Sequence, residues 1–337
     1  MRSAAKHHPE PVEGSRTRAG TMHFPRPSRR LPSTSSGGLL RMREKNNVEG
    51  NSRKIVKRLF SGIAQTENYK EAKMPRFAAN LTMLFNEVPF MDRFALAAKA
   101  GFTGVEYLFP YEFNRHELKA ALTRHNLAQV LHNLPAGNWA GGERGIAVLP
   151  DRVDDFRRGV ADAIDYATTL NCSQVNCLSG IAPQGVDPDV LRATFVSNLR
   201  LAAKELGKHG IRLLIEPINH YDIPGFYLNT VEQAVSIIDE VGSNNLFIQY
   251  DLYHQQRTRG ELVATYERYK PLIAHIQLAD NPGRNEPGTG EINYPNVFEA
   301  LKNAGYKGWI GCEYKPKTTT EEGLSWFKHH EAERLTA

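Results

Sequence analysis

Cysteine is scarce in this 337-residue chain. Cys172, Cys177 and Cys312 are an odd set without metal-finger spacing, which argues against a disulfide framework and fits a reducing, cytoplasmic setting. No run of about 18 apolar residues occurs, so the sequence holds no candidate membrane span. No Gly-x-Gly-x-x-Gly follows the first strand-like segment, which leaves a nucleotide cofactor without support. Acidic residues are sparse at one end only. Residues 1–73 hold 16 Lys and Arg against 6 Glu and no Asp, a charge of +10, leaving 26 basic and 31 acidic residues, or −5, for the rest. The overall +5 and the pI near 9.0 therefore come from the extension, and the electrostatic case for a nucleic-acid partner falls away.

What is present divides at Met74. Residues 1–73 carry Pro, Ser and Arg clusters, such as Pro25-Arg-Pro27 and Ser33-Thr-Ser-Ser-Gly-Gly38, and no sustained apolar period. They read as a disordered basic extension with at most a transient helix over Ile55–Ile63. An Arg- and Ser-rich, acid-poor leader has the composition of a transit peptide, but its prolines interrupt any amphipathic helix. The favoured reading places the natural start at Met74, where Met-Pro-Arg-Phe-Ala-Ala-Asn opens a strand.

Residues 74–337 read as one α/β domain. Strands are expected over Phe77–Thr82, Gly104–Phe109, Ala128–Leu134, Gln174–Ser179, Arg212–Pro217, Leu246–Asp251, Ile273–Ala279 and Trp309–Tyr314. Helical patterns lie between them, over Phe90–Ala100, Arg115–His125, Asp154–Leu170, Pro188–Lys208, Thr230–Val241, Glu261–Arg268 and Tyr294–Asn303, with an eighth expected after Thr320. Gly101, Gly210, Gly242 and Gly305 punctuate helix ends. Several strands are continuously apolar, as strands buried on both faces are. Eight such units predict a closed (β/α)8 barrel, which needs only about 250 residues; a doubly wound open sheet is the runner-up.

In such a barrel, chemistry sits where strands end. Four consecutive strands finish on or near an oxygen donor: Glu216, Asp251, Gln277 and Glu313, separated by 35, 26 and 36 residues, each about one strand–helix unit. Alternation puts Gln249 with Asp251, His275 with Gln277, and Gly311 with Glu313 on shared faces. A lone strand-end carboxylate commonly caps a helix or pairs with an Arg. Three gathered together repel unless a cation explains them, and an all-oxygen set suits Mg²⁺ or Mn²⁺ over Zn²⁺. Near the same rim stand His254, Arg284, His132 and His220, each able to orient a substrate oxygen or to satisfy a buried loop. Gly288-Thr-Gly290 lacks the strand and helix context of a phosphate loop. Lys315 beside a carboxylate and a metal would stay protonated, which disfavours a Schiff base.

The motifs His132-Asn-Leu-Pro-Ala-Gly, Gly142-Glu-Arg-Gly-Ile, Leu214-Ile-Glu-Pro-Ile-Asn, Gln249-Tyr-Asp, Gln277-Leu-Ala-Asp-Asn-Pro, Glu286-Pro-Gly-Thr-Gly-Glu-Ile-Asn-Tyr and Gly311-Cys-Glu-Tyr-Lys-Pro carry a resemblance. From Met74 to about Trp326 the chain resembles the hydroxypyruvate isomerase family, within the xylose-isomerase-like barrels. The resemblance implies Glu216 and Glu313 as the acid–base pair, and Glu216, Asp251, Gln277 and Glu313 as metal positions. Many members of the wider superfamily carry His at the third of these, where this chain has Gln277. The implied reaction converts hydroxypyruvate to tartronate semialdehyde by proton transfer through an enediolate, a step of glyoxylate and carbohydrate metabolism. The implied partner is a small 2-oxo sugar acid, and a homo-oligomer is the family-level expectation.

Three alternatives remain open. Met74-Pro-Arg-Phe-Ala-Ala-Asn-Leu and Asn86-Glu-Val-Pro-Phe resemble the sister 2-oxo-tetronate isomerases, whose chemistry is the same proton transfer. Metal-dependent apurinic endonucleases share the barrel, but they need a His-rich multi-metal site and a basic face. A non-catalytic sugar-acid binder would not need two opposed glutamates.

Overall fold

The computed structural model describes residues 75–336, with side chains to residue 331. The basic extension, the Ile55–Ile63 helix and the start at Met74 lie outside the described residues. Eight parallel strands close in sequence order into a barrel: β1 (Arg76–Asn80), β2 (Gly104–Glu106), β3 (Ala128–Asn133), β4 (Gln174–Cys177), β5 (Arg212–Ile215), β6 (Leu246–Asp251), β7 (Ile273–Leu278) and β8 (Trp309–Cys312). The open-sheet alternative is excluded by the pairing of β1 with β8, Arg76 to Trp309 through Ala79 to Cys312.

Around the barrel run α1 (Arg93–Lys99), α2 (Arg115–Arg124), α3 (Val153–Leu170), α4 (Pro188–Gly207), α5 (Val231–Val241), α6 (Leu252–Thr258), α7 (Leu262–Tyr269), α8 (Tyr294–Asn303) and α9 (Ser325–Thr336). Local chemistry starts several of them. Asn114, Asp187, Thr230 and Asn293 each cap a helix by accepting a backbone N–H, and Pro188 and Pro295 occupy first-turn positions where no N–H is needed. The major core lies between strands and helices, where Val105, Val175, Leu213, Ile215, Ile248, Ile276 and Ile310 meet Phe94, Leu118, Phe156, Phe195, Ile237 and Phe298. Among the described residues, no helix is long and apolar enough to cross a membrane.

Inside the barrel the filling changes with height. Ala78, Val130, Leu131 and Leu214 form a small apolar plug, with Trp309 packed against it. Above it the interior is polar and buried: Asn80, Glu106, Asn133, Asn176, Gln249, His275 and Gln277. Two glycines make the layers fit. A Cβ on Gly104 of β2 would lie 2.7 Å from the Trp309 ring of β8, and one on Gly311 of β8 would lie 2.3 Å from the Glu106 carboxylate of β2. Each strand thus yields space to the bulky side chain of the other, as small barrels require.

Candidate active site

The strand ends converge on a carboxylate cluster. Glu216 stands one residue beyond β5, Asp251 ends β6, and Glu313 stands one residue beyond β8. Together with His254 they each offer one ligand atom within 4.8 Å of the others, and all four are buried. Asp251 owes its position to a second role. Its Oδ1 accepts the backbone N–H groups of Tyr253 (2.7 Å) and His254 (3.3 Å), capping α6 so that strand passes into helix without a loop. The other oxygen, Oδ2, is buried without a hydrogen-bond partner and faces the cluster's cation, Arg284, at 4.0 Å.

Arg284 is the counter-charge. Its Nη2 donates to Glu313 Oε2 at 2.7 Å, and its Nη1 approaches Asp222 Oδ2 at 3.5 Å, while the guanidinium lies over the Tyr253 ring. The loop that carries it is templated by Asp280, whose carboxylate accepts four backbone N–H groups, from Asn281, Gly288, Gly290 and Ile292. The amides of Gly288 and Gly290 therefore serve this loop, which accounts for that Gly-Thr-Gly segment. Arg284 itself sits at φ +56° and is held from both sides, its N–H donating to the Asp280 carbonyl and its carbonyl accepting from Lys315.

Burial and mutual repulsion disfavour the charged carboxylates. Glu216 is held well above the usual carboxylate range by burial, with Glu313 and Asp251 adding repulsion. Burial pushes Asp251 up to about 6, partly offset by Arg284 and the two backbone N–H groups. Burial likewise pushes Glu313 up to about 8; Arg284 opposes this, and Asp251 and Glu106 reinforce it. Burial disfavours the charge on Arg284, but its four acidic neighbours outweigh that and keep it protonated. The cluster thus holds protons near neutrality when no other cation is bound.

His254 is a donor here. Asn219 Oδ1 accepts the backbone N–H groups of Tyr221 (3.0 Å) and Asp222 (2.9 Å), which turns the Asn219 amide nitrogen toward His254 Nδ1, 2.6 Å away. Nδ1 therefore accepts and Nε2 carries the proton, 3.6 Å from Asp251 Oδ2 and 3.9 Å from Glu216 Oε1. Burial, with Arg284 and Arg257 nearby, keeps His254 well below its ordinary value and hence neutral. An Nε2–H offers a hydrogen bond to a bound oxygen and no lone pair to a metal.

The donor set suits a hard divalent cation. Three buried carboxylates of raised proton affinity converge with one orphaned oxygen, and a cation would relieve the repulsion that protons otherwise relieve. Gln277 is aligned beside them, its Cα paired with Asp251; its Nε2 donates to Glu106 at 2.7 Å and its Oε1 accepts from Gln249 at 2.5 Å.

Two expected substrate groups are not brought to the cluster. His132 belongs to β3, but the next residue, Asn133, is the one that faces inward, accepting from Asn176, which in turn donates to Glu216 at 2.9 Å. His132 therefore points outward, toward Ala163 of α3 and the Tyr111 ring, and full burial depresses it to about 4. His220 is exposed on the loop after β5, its ring against Tyr221 at 4.1 Å. Its neighbour Asn219 makes the contact to the site instead. Asn80, Glu106 and Asn176 were not singled out from the sequence, and Gln249 was read only as sharing a face with Asp251 and within the Gln249-Tyr-Asp motif. Their signal was a polar residue interrupting an apolar strand, clearest for Glu106 in Gly-Val-Glu-Tyr-Leu-Phe.

Comparison with known proteins agrees with this geometry. The profile of a family described as Xylose isomerase-like TIM barrel matches residues 94–330. Hydroxypyruvate isomerase of Escherichia coli (strain K12) is 56% identical over 253 residues, covering 75% of this chain and 98% of that protein. A 2-oxo-tetronate isomerase of Cupriavidus necator is 46% identical over 255 residues, covering 76% of this chain and 98% of that protein. A crystal structure titled AP endonuclease, family 2, from Brucella melitensis superposes with a TM-score of 0.75 at 46% identity, covering 76% of this chain and 99% of that one.

Proposed function

The chain belongs to the xylose isomerase-like TIM barrel family, among the hydroxypyruvate and 2-oxo-tetronate isomerases, and from that premise we propose that it interconverts hydroxypyruvate and tartronate semialdehyde. The observation that carries the reading is a pair of buried glutamates, Glu216 and Glu313, whose carboxyls share one cluster and both have raised proton affinity. A proton shuttle needs one carboxylate to accept a proton and one carboxylic acid to return one, at the same pH.

In the forward direction one glutamate takes a proton from C3, and the electron pair forms the C2–C3 double bond of a cis-enediolate. The other glutamate returns a proton at C2, while the C3 hydroxyl proton passes to the C2 oxygen, so that the aldehyde forms at C3 and a hydroxyl at C2. No proton or electron is gained or lost overall. Arg284 and the His254 Nε2–H stabilise negative charge on the enediolate oxygens and the substrate carboxylate. Asn176 holds Glu216, and Asn80 approaches Glu313 at 3.4 Å, so that both carboxyls keep their aim. A divalent cation, Mg²⁺ or Mn²⁺, held by Glu216, Asp251 and Glu313 with the Gln277 carbonyl, would polarise the substrate's carbonyl oxygen.

Hydroxypyruvate ranks above 2-oxo-tetronate on the higher identity, 56% against 46%, and kcat/KM on the two substrates orders them directly. An endonuclease role has less support, since the net −5 of residues 74–337 weakens the electrostatic attraction for phosphates. The decisive test is Glu313→Gln. It should reduce turnover at least about 10³-fold with the fold intact, while solvent deuterium entry at C3 of hydroxypyruvate is lost when Glu313 is the C3 base and persists when Glu216 is. Near wild-type turnover in that variant rejects the assignment.

A further inference from the structure

Beneath the carboxylate cluster lies a fourth acid that the reaction does not use. Glu106, at the end of β2, is 1% exposed, and three nitrogens converge on it. Asn80 Nδ2 donates to Oε1 at 3.0 Å, Gln277 Nε2 donates to Oε1 at 2.7 Å, and His275 Nε2 faces Oε2 at 2.7 Å. Two amide N–H groups donate to Oε1, and the His275 ring faces Oε2, so the carboxyl is held on both oxygens. The fold makes room for it on purpose-shaped ground: Gly311 of β8 lacks the Cβ that would otherwise lie 2.3 Å from both Glu106 oxygens.

The consequence falls on Gln277. A primary amide has two faces of similar shape and opposite polarity, and its neighbours decide which way it points. Were Gln277 reversed, its Oε1 would meet the Glu106 carboxylate at 2.7 Å, acceptor against acceptor in a buried site. Gln249 supports the same orientation, its Nε2 donating to Gln277 Oε1 at 2.5 Å while the side chain also reaches Glu216. Glu106, accepting from Nε2, and Gln249, donating to Oε1, together direct the Gln277 carbonyl away from the barrel floor. Asn80 is anchored independently, its Oδ1 accepting the Thr82 N–H at 3.1 Å, so loss of Glu106 leaves the Asn80 arm in place.

We propose that Glu106 is a positioning residue that fixes the polarity of the Gln277 amide, so that a neutral glutamine presents its oxygen to a divalent cation as a fourth ligand. The inference rests on the metal reading above. His275, with its Nε2 on Glu106, buttresses the carboxylate from the far side.

The test is a double-mutant cycle of Glu106→Ala and Gln277→Ala, read in Mn²⁺ affinity by calorimetry or spin resonance and, separately, in kcat/KM on hydroxypyruvate. Glu106→Ala should weaken Mn²⁺ binding about 10- to 100-fold in the wild-type background, and by less than about threefold once Gln277 is Ala. Glu106→Gln, which can still accept from Gln277 Nε2, should retain most of the affinity. If the cavity in Glu106→Ala prevents folding, Glu106→Met replaces it in the cycle. Equal losses in both backgrounds, or a Glu106→Gln loss as large as that of Glu106→Ala, overturn the proposal. Turnover without Mn²⁺ binding in the wild type sinks the metal role and the proposal together. Mn²⁺ binding without turnover sinks only the functional reading, and the affinity cycle still decides the role of Glu106.

Discussion

At the scale of single residues, the site depends on which atom each side chain offers. Arg284 spans Glu313 and Asp222 with two different nitrogens of one planar fork, a reach that a point charge lacks. Arg284→Lys should therefore keep the charge but lose the bridge. The expected result is a fall of at least about tenfold in kcat/KM with little change in melting temperature, since the fork serves the transition state more than the fold. Full activity in the lysine variant would show that charge alone suffices. The same scale explains which residues the sequence revealed. Glu216, Asp251 and Glu313 were legible because each follows an apolar strand, and a strand's length fixes the rim it reaches. His132 faces away from the cluster, since its neighbour Asn133 takes the inward face of β3, and one position along a strand reverses a side chain's face. His220 lies exposed on the loop after β5, where its neighbour Asn219 contacts His254. Glu106 escaped notice because an acid within a short strand reads as an exposed edge until the barrel closes around it.

At the scale of elements, a loop can be as ordered as a helix when one carboxylate collects its amides. Asp280 does this for the segment after β7, and so sets the backbone of Arg284. Asp280→Ala leaves four N–H groups without their charged acceptor. The expected cost is about 3 kcal/mol in unfolding free energy, read from urea midpoints. New proteolytic cleavage between residues 281 and 292 should accompany it, and kcat should fall as Arg284 loosens. An unchanged cleavage pattern would mean that the neighbouring strands hold the loop by themselves. The elements were otherwise readable. The eight strands and the glycines after helices follow from local sequence, as at Gly242, which ends α5 at φ +67°, although several strands stop short of their expected ends, β2 at Glu106 rather than Phe109. The exception is α6. Asp251 was read as the end of a strand and a ligand, and the possibility that one carboxylate oxygen caps a helix while the other faces the site needs the coordinates.

At the scale of the whole molecule, the barrel concentrates charge that folding alone does not stabilise. Glu216, Asp251 and Glu313 all bind protons more tightly in the folded state than an unfolded chain would. The sign follows from linkage: a carboxyl with a raised folded value contributes its full stability below the ordinary range near pH 4. That contribution is lost as pH rises through about 6 for Asp251 and about 8 for Glu313. A divalent cation binds the folded cluster in competition with those protons, so its stabilisation grows over the same window. In chelator, the melting temperature should fall as pH is raised from about 6.5 to about 8, above the range in which the buried neutral His132 and His254 contribute the opposite slope. Millimolar Mn²⁺ should restore several degrees at the upper end and little at the lower. Glu313→Gln removes one titrating group and should flatten the chelator curve while weakening the response to Mn²⁺. A melting temperature that climbs from about pH 6.5 to about pH 8 in chelator would contradict the electrostatic account of the cluster. A curve that Mn²⁺ leaves unmoved at pH 8 would leave protons, with Arg284, as the only charges balancing these three acids, and the isomerisation would then have to run on the two glutamates and their hydrogen-bond donors alone.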